Sequence, residues 1–289
     1  MASMATHFSG SLFLVPFGLR RLLFASSLYL KDPSNFRSKL WYFSHPSWKN
    51  IDLYFLLVAL PIASFSEFVI FLSFSGHQTY RFSFFLQSIA LLTFWVLILF
   101  ILAQEYMGSS MVNESFVFIF ASICFLVEYS AIGKGIAGLG GVVYGFLGEL
   151  TLACVAACLY LSIKPTAFFA DFLLSSGLIF KGAWLLQVGF SLYTDAFMLK
   201  GCKKISLSSP SLENVDVKCD LVEDSLRGIT LMHFIFTVHA IVVLVLSLGL
   251  FGLLASNRKL RCGETRGPLL AELESPQMLV HSLPGQEIE

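Results

Sequence analysis

The sequence predicts an all-α polytopic membrane protein, a bundle of seven transmembrane helices. Apolar residues make up 56% of the 289 residues and charged residues only 13%, and 30 residues are phenylalanine. One soluble domain of this length cannot bury so much apolar surface, whereas side chains that face acyl chains need no burial. The formal net charge is zero, so no strongly basic surface is expected and we predict no nucleic-acid partner.

Seven apolar segments are each long enough to cross a bilayer. A hydrocarbon core of about 30 Å requires about 20 helical residues. The runs are continuous rather than alternating, which favours helices over a barrel. The predicted spans are 8–30, 51–73, 83–104, 114–132, 141–163, 173–195 and 229–255. They make residues 1–255 one transmembrane domain, and the polar segment 256–289 is predicted to be a disordered cytosolic tail.

The first span is the weakest of the seven because Arg20 and Arg21 divide it. A cleaved signal peptide would carry basic residues before its apolar run, whereas here they follow it. We therefore expect a spanning helix. Trp41 and Tyr42, which precede the second span, are typical of an interfacial aromatic belt.

Basic residues in the short loops predict the orientation of the bundle. Cytosolic loops carry an excess of lysine and arginine, and the first loop and the tail are the clearest cases. The residues are Lys31, Arg37, Lys39 and Lys49 in the loop and Arg258, Lys259, Arg261 and Arg266 in the tail. The C-terminus is therefore predicted to be cytosolic and the N-terminus lumenal or extracellular, in the plasma membrane or an endomembrane.

Three cysteines outside the spans are candidates for covalent modification. Cys202 and Cys219 flank the polar loop between the sixth and seventh spans. The predicted orientation places this loop in an oxidising compartment, where either a disulfide or two separate thiols would be expected. Cys262 follows the last span and is a candidate for palmitoylation or a plain exposed thiol.

Glycines of the fifth span predict a close helix contact. Ala137, Gly141 and Gly145 follow a four-residue step that brings small side chains onto one helix face, and such a ridge allows a neighbouring helix to approach. The next step reaches Glu149. We therefore expect the carboxylate of Glu149 to point into the bundle.

Ionisable residues inside the spans are the main candidates for function, because each costs a few kcal/mol in a bilayer unless it is paired or hydrated. Their depths, counted from the predicted helix ends, predict a polar cavity open to the non-cytosolic side. The residues assigned to it are Arg20, Glu67, Glu128, Glu149, Lys181, His233 and His239. Lys181 lies near the midplane and should therefore be paired. Glu149 is the predicted partner, with the ring of Trp184 as a second contact.

The segment "LIFKGAWLLQVGFSLY" of the sixth span resembles the most recognisable motif of the transmembrane protein 45 family, which includes many plant members. The matching residues are Gly182, Trp184, Gln187, Gly189, Phe190 and Tyr193. Lys181 stands where the family motif has glutamine. The resemblance implies a plant-type, multi-pass membrane protein and assigns it no activity.

Three classes of function fit these observations. A carrier or small-ligand-binding protein would use the polar cavity for a small solute or an anionic ligand. A scaffold or trafficking protein, ranked nearly level, would use the polar residues for helix packing alone. A metal-dependent intramembrane hydrolase ranks below both, because His7, His239 and Glu128 are a thin ligand set. We predict no catalytic residue, metal or cofactor, and the oligomeric state is left open.

Overall fold

A computed structural model describes residues 4–43, 50–74, 78–107, 113–133, 138–194, 201–206 and 215–263. Within these ranges the chain forms seven helices, and each is long and apolar enough to cross a membrane. The helices are α1 (Met4–Lys31), α2 (Ile51–Ser73), α3 (Gln78–Met107), α4 (Glu114–Ala131), α5 (Gly138–Ile163), α6 (Phe168–Tyr193) and α7 (Val222–Gly263). The predicted seven-helix membrane fold is confirmed.

The last helix is longer than its apolar segment. Helix α7 begins at Val222 and ends at Gly263, beyond both ends of the predicted span 229–255. A helix of 42 residues is about 63 Å long, roughly twice the hydrocarbon thickness. Lysine and arginine are good helix formers, so the helix continues into the start of the predicted tail. The side chain of Cys262 and residues 264–289 lie outside the described residues, and the palmitoylation prediction therefore stays a prediction.

A short β-hairpin connects α6 to α7. Strands β1 (Cys202–Ser206) and β2 (Val215–Cys219) pair antiparallel, with Cys202 opposite Cys219. The two cysteines are joined by a disulfide, so the bridge closes the open end of the hairpin. No strand was predicted here, because the runs "CKKIS" and "VDVKC" are only 5 residues long and lie in a polar loop.

The closest helix contact joins α1 to α6, which run antiparallel. Glycines make this contact possible. A Cβ on Gly182 would lie 2.8 Å from Cγ2 of Val15, and a Cβ on Gly18 would lie 2.8 Å from the backbone nitrogen of Ile179. Because neither position has room for a methyl group, the two backbones approach as small-residue helix pairs do in membranes.

Among the described residues, the predicted glycine ridge on α5 makes no helix contact at Gly145. Gly145 is exposed with no atom within 4 Å of a Cβ built on it, and Glu149 is exposed as well. The glycine that packs against α4 is Gly148, where a Cβ would lie 3.2 Å from the ring of Tyr129. The helix is therefore rotated so that this face points outward, and the residues adjacent to it form the contact. Ala137 lies outside the described residues.

Candidate ligand-binding cavity

A cavity of about 240 Å³ lies inside the bundle and is lined by α1 to α6. On α3 its lining extends from Gln87 to Ile101, which is about 21 Å along the helix axis. Most of the wall is aliphatic or aromatic, and representative residues are Leu14, Phe17, Phe94, Ile98 and Leu178. The cavity is thus long, narrow and mainly apolar, in contrast to the polar cavity that the sequence predicts.

One ion pair lies in this wall. The Lys181 ammonium donates a hydrogen bond to Oε2 of Glu128. The Lys181 side chain is 1% exposed and that of Glu128 is 16% exposed. The ammonium also lies 5.0 Å from the ring centre of Phe125, which is a favourable cation–π distance. Both charged residues line the cavity.

The partner of Lys181 differs from the prediction. Glu149 was expected, but it projects from the exposed face of α5, whereas Glu128 is near the end of α4 and points into the bundle. The ring predicted to contact the ammonium was that of Trp184, whereas the cation–π contact found among the described residues is with Phe125. Helix rise gives the depth of each group, but the rotation of α5 decides which carboxylate the lysine can reach.

Polar groups line the cavity at the end where α1 begins. Nε2 of His7 and the hydroxyl of Tyr144 form a hydrogen bond of 3.0 Å, and both residues line the cavity together with Gln87. Nearby, the hydroxyl of Thr6 donates to the buried carboxylate of Glu67. Glu67 itself is not part of the lining. This end therefore offers hydroxyl, imidazole and amide groups, while the opposite end of the lining is apolar up to Arg21.

A buried ionic cluster lies at that opposite end. Arg21 donates to the carboxylate of Asp171, and the two side chains are 1% and 0% exposed. The guanidinium also donates to the carbonyl oxygens of Lys39 and Leu40, both at 2.6 Å. The hydroxyl of Tyr42 donates to Asp171 at 2.7 Å. The cluster therefore links the first loop to α1 and α6. It lies at the end of the cavity opposite His7.

Burial is the main reason why the pKa of the Tyr42 phenol is raised, and the neighbouring Asp171 carboxylate raises that pKa further. The phenol stays protonated and remains a hydrogen-bond donor. It supplies one of the donors that a buried carboxylate needs, in addition to the arginine.

Arg20 lies outside the predicted cavity. Its guanidinium pairs with Asp52 and donates to Oδ1 of Asn50 at 2.8 Å and to the carbonyl of Tyr42 at 3.0 Å. These partners stand at the start of α2 and in the first loop. Arg20 was expected in the polar cavity near the midplane, but the first loop and the start of α2 lie against this part of α1 and bind its guanidinium instead.

The two histidines of α7 are not cavity residues in the described part of the chain. His233 is exposed and its ring contacts that of Phe146 edge-on, with 4.7 Å between the ring centres. Nδ1 of His239 lies 3.0 Å from the carbonyl of Ile235. Both residues belong to a helix at the periphery of the bundle that does not contribute to the cavity wall.

The sixth-span motif forms packing contacts around the cavity. Gly182 and Gly189 lie against α1, and the ring of Phe190 meets that of Phe8 edge-on at 5.3 Å. The indole of Trp184 donates to the carbonyl of Val143 at 3.1 Å. The side chain of Gln187 donates to the hydroxyl of Ser191 at 3.0 Å. The ring of Tyr193 contacts that of His7, with 5.7 Å between the ring centres. The motif thus fixes α6, and with it Lys181, against α1 and α5.

The role of Asp171 was not predicted from the sequence. The residue lies just before the predicted span 173–195, so it was not counted among the intramembrane charges. The signal that could have revealed it is an arginine without an assigned partner, since Arg21 lies inside the first predicted span and requires an acidic partner.

The fold and the cavity together define a multi-pass integral membrane protein with an internal, mainly apolar chamber. Residues 109–252 match the model of a family described as "Family of unknown function (DUF716)". This is the family that includes the transmembrane protein 45 proteins, and the matched segment contains the sixth-span motif and both residues of the Lys181–Glu128 pair. No curated protein matches the chain.

Proposed function

We propose that the protein binds or carries a small, largely apolar molecule within the cavity of the helix bundle. The observation that carries this proposal is the combination of a long apolar wall with one buried ion pair at its side. Ligand sites typically combine an apolar lining with a few placed polar groups. Polar residues that serve packing alone would be expected in a close-packed interior, whereas here the ion pair lines a cavity of about 240 Å³.

The remaining classes have weaker support. Among the residues that the structure describes, no three histidine, cysteine, aspartate or glutamate side chains are grouped closely enough to hold a metal ion, so a metal-dependent hydrolase gains no support. A scaffold or trafficking role remains the alternative, and it predicts that the cavity stays without a specific occupant.

A cavity-blocking substitution tests the proposal. Ala59 of α2 lines the apolar part of the cavity, whereas Ala156 of α5 is exposed on the outside of the bundle. A hexadecyl chain with a photoactivatable group would be cross-linked to the purified full-length protein in lipid nanodiscs. We expect Ala59→Phe to reduce labelling of cavity peptides at least about tenfold, because the ring occupies the space of the chain, and Ala156→Phe to leave the labelling unchanged.

Equal labelling of both variants and the wild type would refute the cavity as the binding site. Equal labelling would then favour the scaffold or trafficking role. The thermal unfolding midpoint of each variant, measured on the same preparations, shows whether a loss of labelling reflects a blocked cavity or a misfolded chain.

We also infer that the whole chain is a plant-type member of the transmembrane protein 45 family and that its N-terminus is lumenal or extracellular. The disulfide of the hairpin supports this orientation, since such bonds persist in oxidising compartments. The basic residues of the first loop support a cytosolic position for that loop. An epitope tag at the N-terminus tests the orientation. If antibody binds the tag only from the extracytosolic side, the result agrees with the orientation. If antibody binds the tag from the cytosolic side, the orientation is overturned.

A further inference from the structure

We propose, building on the binding function above, that the occupant is a single-chain molecule whose head group is uncharged and carries a hydroxyl or carbonyl oxygen. The head group is placed at the Lys181–Glu128 pair and the chain in the apolar part of the cavity. Three properties of the cavity support this proposal: the charge balance of the pair, its free hydrogen-bond donors, and the dimensions of the apolar wall.

The charge balance favours a neutral head group. Lys181 and Glu128 compensate each other within the cavity wall, so the pair has no net charge. A carboxylate or an ammonium brought to the same place would add a third charge without a partner. Unpaired charges are costly in a low-dielectric interior, and an uncharged ligand avoids this cost.

The hydrogen-bonding capacity of the pair is suited to a ligand with an oxygen acceptor. A lysine ammonium has three N–H donors. Among the described residues, Glu128 is the one hydrogen-bond acceptor of the Lys181 ammonium, although the side chain is 1% exposed. The remaining donors are buried beside the cavity that the residue lines. A ligand oxygen can accept from them, and a ligand hydroxyl can in turn donate to the carboxylate of Glu128.

The dimensions of the wall fit one chain rather than two. Beyond the level of the ion pair, the lining of α3 continues from Ala90 to Ile101, which is about 16 Å by helix rise. One leaflet of a bilayer core, and hence one extended acyl chain, spans about 15 Å. The whole cavity has a volume of only about 240 Å³, below the range of roughly 300 to 1,000 Å³ common for drug-sized ligands. A two-chain phospholipid does not fit.

Competition between matched single-chain compounds tests the head group. Photolabelling by the hexadecyl probe, corrected for the labelling of Ala59→Phe, would be competed with hexadecanol, hexadecanoic acid, hexadecylamine or a dihexadecanoyl phospholipid at about pH 7. Bilayer concentrations would be matched. We expect hexadecanol to compete at least about tenfold better than either charged compound, the usual scale for one hydrogen bond to a charged group. The phospholipid should not compete.

Substitutions in the pair should redirect this preference. In Glu128→Gln the lysine loses its counter-ion, and hexadecanoic acid should become the best competitor. In Lys181→Met the carboxylate is left alone, and hexadecylamine should become the best. The double variant restores neutrality but removes the ammonium donors, and hexadecanol should lose at least about tenfold in potency. Because the double variant leaves no uncompensated charge, its competition by hexadecanol can be measured even if both single variants unfold.

The outcomes separate the two proposals. If the acid or the amine competes best against wild-type labelling, or if head groups make no difference, the head-group proposal is overturned while cavity binding stands. If no cavity-dependent labelling by the hexadecyl chain occurs, both proposals fail.

Discussion

Removal of either member of the Lys181–Glu128 pair should destabilise the fold, and removal of both should largely restore it. The two side chains are 1% and 16% exposed, so each single change leaves one charge buried in a low-dielectric wall. Breaking a buried pair typically costs about 3 to 5 kcal/mol. Glu128→Gln leaves the more deeply buried lysine and should cost about 5 kcal/mol, whereas Lys181→Met leaves the more exposed glutamate and should cost about 3 kcal/mol.

The double variant measures the coupling between the two residues. Replacing both charges removes the desolvation penalty together with the attraction, and such replacements are often neutral or stabilising. The interaction energy from the complete cycle should therefore exceed the usual range of about 0.5 to 3 kcal/mol, because each single change includes the penalty of an uncompensated buried charge and the double change does not. Denaturant titration of the detergent-purified protein gives the free energy of unfolding for each variant, and thermal unfolding gives an independent ranking.

Glu149→Gln is the matched control for this cycle. The exposed carboxylate of Glu149 makes no pair with Lys181, so its removal should change the free energy of unfolding by no more than about 0.5 kcal/mol. The reasoning is refuted if Lys181→Met is neutral, or if Lys181 couples energetically to Glu149 rather than to Glu128.

Three further substitutions, one of them a control, test the ionic and packing contacts around the cavity. Asp171→Asn should lower the free energy of unfolding by about 3 to 5 kcal/mol, because it leaves the buried guanidinium of Arg21 uncompensated; an unchanged denaturation curve would show that the cluster does not stabilise the fold. Gly18→Val should cost about 1 to 3 kcal/mol by overpacking the contact between α1 and α6, while Gly145→Val, on an open face, should cost less than about 1 kcal/mol. Equal unfolding midpoints for the two valine variants would contradict the close approach of these helices.

Hydropathy was sufficient to predict the helices because each span has to satisfy its own backbone hydrogen bonds in lipid. The predicted span 51–73 coincides with α2, and 114–132 differs from α4 by one residue. Errors concentrate where polar residues continue a helix beyond the apolar run, as at the end of α7. The hairpin between Cys202 and Cys219 was missed because its strands are only 5 residues long and lie in a polar loop, although the cysteines themselves were marked as a candidate pair.

The candidate site was only partly predictable. Its most informative residue, Lys181, could be identified from the sequence, since a lysine near the middle of an apolar span is costly and needs a partner. Its partner could not be identified, because the predicted depth favoured Glu149, whereas the direction in which each helix faces brings Glu128 to the lysine. Asp171 was missed because its depth depends on where α6 begins.

The sequence by itself determined that this chain is a seven-helix membrane protein, that Lys181 must be compensated, and that α6 carries its most specific motif. These properties follow from local composition and from the energetic cost of charge in lipid. Only the tertiary structure decided which carboxylate compensates the lysine, that Arg20 and Arg21 fasten the first-loop end of the bundle, and that the space between the helices is long and apolar. Each of these depends on helix rotation and on close approach at Gly18 and Gly182, which arise from packing between segments distant in sequence.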